Sequence, residues 1–208
     1  MKKLGLFVSV IVVLLASGAQ ALAQNVGDRS VYFVTYFSNA NTTAAPDATL
    51  RLINDGDEAT SQVAGHPSNG NLYASIYLFD DSQQMQECCN CLISPNGILS
   101  ESVDSNLMNN TLTGGYEETT RGVIKIISST SSDPTNNVLA PGLHGTMTHI
   151  QLYATLTDVA GYLITETTLA DSNLASAEQQ SLQTMCGFVE YLGSGQGVCS
   201  CTPEDSDF

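Results

Sequence analysis

Six cysteines are the residues of this chain whose number and spacing point most directly to chemistry. Three of them fall within the sequence CCNC, and the other three lie near the C-terminal end of the chain. They are Cys88, Cys89, Cys91, Cys186, Cys199 and Cys201. An even number of cysteines in an oxidising compartment is typical of a disulfide framework. We therefore predict that all six are oxidised and that at least one bridge joins the CCNC cluster to the segment 186–201.

The sequence leaves the pairing of these cysteines open. Adjacent Cys88 and Cys89 would point to opposite faces of an extended strand, whereas Cys89 and Cys91 would share a face, as would Cys199 and Cys201. Each bridge between the clusters would close a loop of about 100 residues, worth roughly 4 to 5 kcal/mol in the chain-entropy model. A metal or redox role fits less well, because the chain has no C-x-x-C-H motif and no paired histidine ligands near the cysteines.

A second candidate for chemistry is the acidic turn NDGDE, which contains Asp55, Asp57 and Glu58. Calcium prefers several oxygen ligands from a flexible loop, and this turn supplies three carboxylates. The turn lacks the oxygen spacing of an EF-hand loop, and Asn-Asp-Gly is also a common turn sequence. These three residues are the one metal site that the sequence predicts, and calcium is the one cofactor.

No motif in the sequence indicates catalysis. His144 and His149 lie five residues apart but do not resemble the His-Glu-x-x-His pattern. The motifs Gly-x-Ser-x-Gly and Ser-x-x-Lys are absent from the sequence. Paired carboxylates for glycoside hydrolysis depend on a separation in space that a sequence does not give. We therefore assign no catalytic residue and favour a protein that is not an enzyme.

Eight short segments are predicted to be strands, because they are rich in Val, Ile, Tyr, Phe and Thr and are separated by turn-forming residues. The segments are 30–37, 49–54, 71–80, 91–94, 98–103, 122–128, 147–156 and 162–169. Segment 71–80 is apolar on both faces, which indicates a central strand. The sequence Ser-Pro-Asn-Gly at 94–97 predicts the turn of a hairpin between its two neighbouring segments.

The segment SVYFVTYF at 30–37 is uncharged, apolar on both faces and free of proline. We interpret it as a central strand. The alternative is a strand that pairs with another chain in an oligomer or a filament, because an exposed edge of this composition invites such pairing.

One segment has the periodicity of a helix. Apolar residues recur every three or four positions over 176–192, Cys186 among them, so its thiol should face the sheet. Ser176 and Gln179 fit a capping box, and Gly193 fits the position after the helix end. The strands and this helix together predict a mainly β fold, an antiparallel β-sandwich of about eight strands with one C-terminal helix, stapled by disulfides.

The N-terminal residues have the pattern of a secretory signal peptide. Lys2 and Lys3 precede the apolar run 4–16, and Ala21-Leu22-Ala23 fits a cleavage site. The apolar run is shorter than the roughly 20 residues needed to span a bilayer. We therefore expect a signal peptide at 1–23 and a single soluble domain at 24–208, secreted to the periplasm or the exterior, with no membrane insertion after cleavage.

The charge of the expected mature chain excludes two classes of partner. Cleavage leaves Arg29, Arg51, Arg121 and Lys125 against 21 acidic residues, a net charge of about −17. Nucleic acids and anionic lipids are bound through Lys and Arg, so an excess of acidic residues this large repels both.

Several stretches resemble a family of uncharacterised secreted proteins from soil-type bacteria. They are GNLYASIYLFDDSQQMQECCNCLISPNG, RGVIKIISS, LAPGLHG and GSGQGVCSC, and the likeness spans most of the expected mature chain. The resemblance implies bacterial export and a link between the CCxC cluster and the C-terminal CxC pair. It implies no catalytic residue.

These observations favour a non-enzymatic, exported β-sandwich that acts by interaction at the cell surface or in the extracellular matrix, with another protein or with itself. The first alternative is a secreted module that binds a small molecule or Ca²⁺, suggested by the acidic charge and the NDGDE turn. The second alternative is a secreted hydrolase, suggested by the compartment and the unassigned acidic residues.

Overall fold

The computed structural model describes residues 31–56, 70–112, 119–153, 161–193 and 195–201. Within these ranges the chain is mainly β, with two antiparallel four-stranded sheets, one α-helix near the C-terminus and three disulfides. This architecture confirms the predicted sandwich. The strands are β1 (Tyr32–Ser38), β2 (Thr49–Asn54), β3 (Leu72–Asp80), β4 (Met85–Ile93), β5 (Ile98–Ser102), β6 (Arg121–Ser129), β7 (Leu143–Tyr153) and β8 (Gly161–Thr168); a π-helical turn (Val103–Leu107) follows β5, and the helix is α1 (Ser176–Leu192).

The two sheets enclose the main hydrophobic core. Sheet A has the strand order β1-β6-β3-β4, and sheet B has the order β5-β2-β7-β8. Strand β3 lies between β6 and β4, which confirms that segment 71–80 is central. The largest buried aliphatic side chains of this core are Leu50, Leu52, Leu72, Ile76, Leu78, Ile93, Leu99, Leu107, Ile124 and Ile126.

Strand β1 lies at an edge of sheet A, so the prediction that it is central is wrong. Phe33 and Phe37 belong to the main core, whereas Tyr32 belongs to a second cluster beside α1. The strand is therefore apolar on both faces because it contacts two cores, not because strands flank it on both sides. Its free edge is partly covered, since the Ser172 amide donates to the Tyr32 carbonyl at 2.9 Å and Phe33 bridges Asp171.

The turn at 94–97 forms as predicted, but it does not make a hairpin. The Gly97 amide donates to the Ser94 carbonyl at 2.9 Å, and Asn96 has a positive φ of 63°. The turn follows β4 of sheet A and precedes β5 of sheet B, so it carries the chain from one sheet to the other. The prediction of a hairpin was wrong because turn residues specify a reversal of direction and not which strands pair.

Helix α1 packs on the outer face of sheet A. Its buried residues Leu182, Cys186 and Val189 contact the second cluster, to which Tyr77 and Ile127 contribute from the sheet. In the described part of the chain, no helix has the length and apolar character needed to cross a bilayer.

The ends of α1 differ from the prediction in detail. The capping box is wrong, because the N-cap is Ala175, no side chain caps the helix, and Ser176 is already helical. Gln179 donates instead to the Asn137 carbonyl at 3.3 Å. Gly193 ends the helix in a right-handed conformation, and a Cβ there would lie 2.0 Å from a backbone oxygen. Glycine is thus required because a backbone oxygen approaches its Cα closely, and not because its φ is positive.

Asn137, in the connection between β6 and β7, ties α1 to sheet A through a buried polar network. Its Oδ1 accepts hydrogen bonds from the Tyr77 hydroxyl at 2.8 Å and from Gln183 Nε2 at 3.3 Å. Its amide nitrogen donates to Ser75 Oγ at 2.7 Å. Because these polar groups satisfy one another, the outer face of sheet A can bury them under the helix.

We predict that Gly122→Ala destabilises the fold. A Cβ at Gly122 would lie 1.8 Å from the Phe79 carbonyl oxygen and 2.9 Å from the Phe37 ring, so the central strands of sheet A must separate. We expect a loss of about 1 to 3 kcal/mol in the free energy of unfolding, measured by chemical denaturation. Gly161→Ala is the matched control, because nothing lies within 4 Å of its added Cβ. Equal losses in the two variants would contradict the packing account.

Candidate functional site

All six cysteines form disulfides that connect the CCNC cluster to the C-terminal segment. The pairs are Cys88–Cys186, Cys89–Cys199 and Cys91–Cys201. The predicted link between the two clusters is therefore confirmed, and the pairing that the sequence left open is resolved. Cys88 points toward α1, whereas Cys89 and Cys91 point into the main core. This division follows from the alternation of side chains along a strand.

The C-terminal segment also covers the free edge of β4. The Cys88 amide donates to the Gly197 carbonyl at 2.9 Å, and Cys88 forms a parallel bridge with Val198. The Leu112 amide donates to the Gln86 carbonyl at 3.0 Å on the same strand. We call the three disulfides and this backbone pairing the clamp. The clamp leaves β4 poorly accessible to any further strand.

The sulfur atoms of the clamp lie close enough together to resemble a metal site. Cys89 Sγ and Cys91 Sγ are 4.0 Å apart, and Cys201 completes a compact group with them. Each of these sulfurs is bonded in a disulfide. Because the thiolate is the form that ligates metals, the oxidised clamp offers no such ligand.

Glu87 is a fully buried carboxyl beside the clamp. Burial raises its pKa to about 8, although a hydrogen bond from the Asn110 amide at 2.9 Å lowers it. Its Oε2 has no hydrogen-bond partner among the described residues. Asn110 in turn donates through its side chain to the carbonyls of Gly195 and Val198 at 2.7 and 3.2 Å. The uncharged carboxyl is thus built into the same region as the terminal segment.

Of the three predicted calcium ligands, Asp55 alone lies among the described residues. Asp55 follows β2, and its Oδ2 lies 3.2 Å from Nε2 of His144. Asp57 and Glu58 lie outside the described residues. The calcium site therefore stays a prediction.

The two histidines of β7 lie in different environments. They are five residues apart on one strand, so their side chains point to opposite faces. His144 is exposed beside Asp55, whereas His149 is buried, stacks on Tyr36 at 4.1 Å between ring centroids and lies 2.8 Å from Thr167 Oγ1. Burial lowers the pKa of His149 and so favours the neutral ring.

The end of the β7–β8 hairpin is an apolar surface that sequence analysis missed. Leu163 is paired across the strands with Gln151, and Ile164 with Ile150. Adjacent side chains project from opposite faces of a strand, so apolar side chains are exposed on both faces here. We call this the hairpin surface; its members are Leu152, Tyr153, Leu163 and Ile164, with exposed fractions of 59, 58, 53 and 54 %.

Strand β8 is exposed because it extends beyond β1, the last strand of sheet A. Strand β1, at the edge of sheet A, packs across β7, and among the described elements β8 packs chiefly on β7. In the part of the chain that the structure describes, no backbone hydrogen bond joins residues 161–168 to any element but β7. Among the described elements, therefore, nothing pairs with the outer edge of β8 over its eight residues.

The hairpin surface carries almost no charge. Glu166 is the one charged residue in β8, and its carboxylate pairs with Arg51 at 3.0 Å. The Thr146 hydroxyl also donates to Glu166 at 2.6 Å, and this hydrogen bond, followed by the Arg51 charge, lowers the pKa of the Glu166 carboxyl. The sequence offered a partial signal in the uncharged runs HIQLY and GYLIT, but an apolar run alone does not distinguish a core strand from an exposed one.

Comparisons with known proteins give no match: no protein-family model, no curated protein and no solved structure matches this chain. The resemblance to secreted bacterial proteins therefore stays a prediction.

We predict that the disulfides stabilise the fold unequally. With Cys89–Cys199 intact, Cys91–Cys201 closes a ring of only about six residues, although the two cysteines are 110 residues apart in sequence. Replacing Cys91 and Cys201 by Ser should therefore cost roughly 2 kcal/mol, and not the roughly 5 kcal/mol of an independent long loop. Guanidinium unfolding without reductant measures the difference. A cost near the larger figure would mean that the bridges act as separate long loops.

We predict that Glu87→Gln removes a pH dependence of stability. The pKa of a free glutamate is about 4.3. Between this pH and about pH 8, the Glu87 carboxyl is ionised in the unfolded chain but keeps its proton in the folded chain. Wild-type stability should therefore fall as pH rises through this window, and the loss is complete above the folded pKa. The variant should match the wild type at pH 4 and exceed it at pH 8 by more than about 1 kcal/mol, measured by urea unfolding.

The exposed Glu166→Gln is the control for this experiment. Because the pKa of Glu166 is lowered, its replacement should bring no gain at pH 8. If the wild type and Glu87→Gln lose stability in parallel from pH 4 to pH 8, the buried carboxyl is not the source of the dependence.

Proposed function

We propose that this protein is an exported β-sandwich that acts without catalysis, by binding a strand of another polypeptide chain at the cell surface or in the extracellular matrix. The observation that carries the proposal is the outer edge of β8, which no other described strand pairs with and which lies beside the hairpin surface. Main-chain hydrogen bonds along such an edge supply affinity, and the flanking side chains supply specificity.

The contrast between the four sheet edges supports this assignment. The edge of β4 is covered by the clamp, and part of the β1 edge is covered by residues 171–172. Strand β5 has only five residues, and short edges are one of the ways in which proteins avoid unwanted pairing. Strand β8 combines length, an open edge and apolar side chains, which a soluble protein rarely leaves uncovered without use.

Export is supported by two independent features. The first is the signal-peptide pattern at 1–23. The second is the oxidation of all six cysteines, because disulfides persist in oxidising compartments and are rare where thiols are kept reduced. Binding at an exposed strand suits a protein that works outside the cytoplasm with an extracellular partner.

The proposal is tested by photo-crosslinking in the cells that export the protein. A benzoylphenylalanine in place of Ile164 should give a covalent adduct with another polypeptide, because this side chain lies on the hairpin surface. The same group in place of Val138 is the control, since Val138 is equally exposed, at 56 % against 54 %, and lies outside the hairpin. Absence of any adduct from position 164 beyond that of position 138 would contradict the proposal.

A further inference from the structure

We infer that the strand bound at β8 is the β8 strand of a second copy of this protein, added in the antiparallel direction. This inference rests on the proposed use of β8 and goes further by naming the partner. It follows from the charge distribution, the symmetry of antiparallel pairing and the composition of the strand.

The charge distribution selects an uncharged partner surface. The whole chain carries a net charge of −15, so two copies repel each other over most of their surfaces. Between Leu143 and Thr168 the sequence has two acidic residues, Asp158 and Glu166, and neither Lys nor Arg. Since Arg51 already pairs with Glu166, a basic partner finds no free carboxylate on β8. The hairpin surface is thus a place where two copies can approach without that repulsion.

Two identical antiparallel strands are related by a two-fold axis, so the same strand of each copy can form the whole interface. An axis at Ile164 places Ile164 opposite its own copy and Leu163 opposite Thr165 of the second copy. Aliphatic and β-branched pairs of this kind stabilise neighbouring strands. An axis at Glu166 would instead place two carboxylates opposite each other, which destabilises a strand pair.

The register at Ile164 also separates the two Glu166 side chains. Each Glu166 then lies opposite Tyr162 of the other copy, four positions along the strand from the second Glu166. Four residues of a strand span about 14 Å. This exceeds the Debye length of about 8 Å at physiological ionic strength, so the repulsion between the two carboxylates is largely screened. The assembly is one continuous sheet in the order β5-β2-β7-β8-β8-β7-β2-β5.

A single introduced cysteine tests the axis. Because no cysteine is free in the described chain, Ile164→Cys places one reactive thiol at the proposed two-fold axis. Mild oxidation of the exported protein should give a disulfide-linked dimer, with the three native bridges verified by peptide mapping. Val138→Cys, with the same exposure, should stay monomeric. A mixture of Leu163→Cys and Thr165→Cys proteins should also cross-link, since these positions face each other in the proposed register.

The association itself is measured by sedimentation of the oxidised wild-type protein up to about 100 μM, a range that reveals weak dimers. Leu163→Lys should weaken the dimer at least roughly tenfold, because it places one positive charge from each copy in the same buried interface. Val138→Lys should not weaken it. A wild-type monomer throughout this range, without cross-linking at position 164, overturns the inference.

The two proposals fail in different ways. A photo-adduct at position 164 with a different protein overturns the inference that the partner is a second copy. It still supports the proposal that β8 binds a strand. A photo-adduct of twice the chain mass supports both proposals. No adduct at position 164 overturns both.

Discussion

The bonding of one strand to one terminal segment is the constraint on which the rest of the structure depends. Strand β4 is joined by three disulfides to residues 186–201, first through α1 and then through the return segment. These bonds hold the helix on sheet A and cover one edge of that sheet. At the opposite side of the sandwich, no element of the described chain pairs with the outer edge of β8, so the same architecture that covers one side leaves side chains exposed on the other.

The region of the clamp is also where the fold accepts a buried ionisable group. Glu87 precedes Cys88, and Asn110 contacts both Glu87 and the terminal segment. A buried carboxyl without a cationic partner is tolerated in its uncharged form, since ionisation in this environment is costly. The clamp thus combines covalent bonds, whose strength does not depend on pH, with a polar contact that does.

Local features were predictable from the sequence, and relations between distant elements were not. Strand β2 and α1 have the predicted bounds, because turn residues and a helical period mark them locally. The apolar pattern of β1 did not distinguish a central strand from an edge strand beneath a second cluster. For the same reason, the apolar pattern of segment 162–169 did not show that Leu163 and Ile164 are each about half exposed. Cysteine number predicted oxidation, while the pairing required the positions of both clusters in space.

The separation between the bonded cysteines has a consequence for the order in which the disulfides can form as the chain is synthesised. The partners of Cys88, Cys89 and Cys91 lie 98 to 110 residues later in the chain. At roughly 5 to 20 residues per second, the first three thiols wait about 5 to 20 s before their partners are made. If they reach an oxidising compartment in that interval, the available partners are one another. Native bonding is then reached by thiol–disulfide exchange, which takes seconds to hours and is accelerated by a disulfide isomerase.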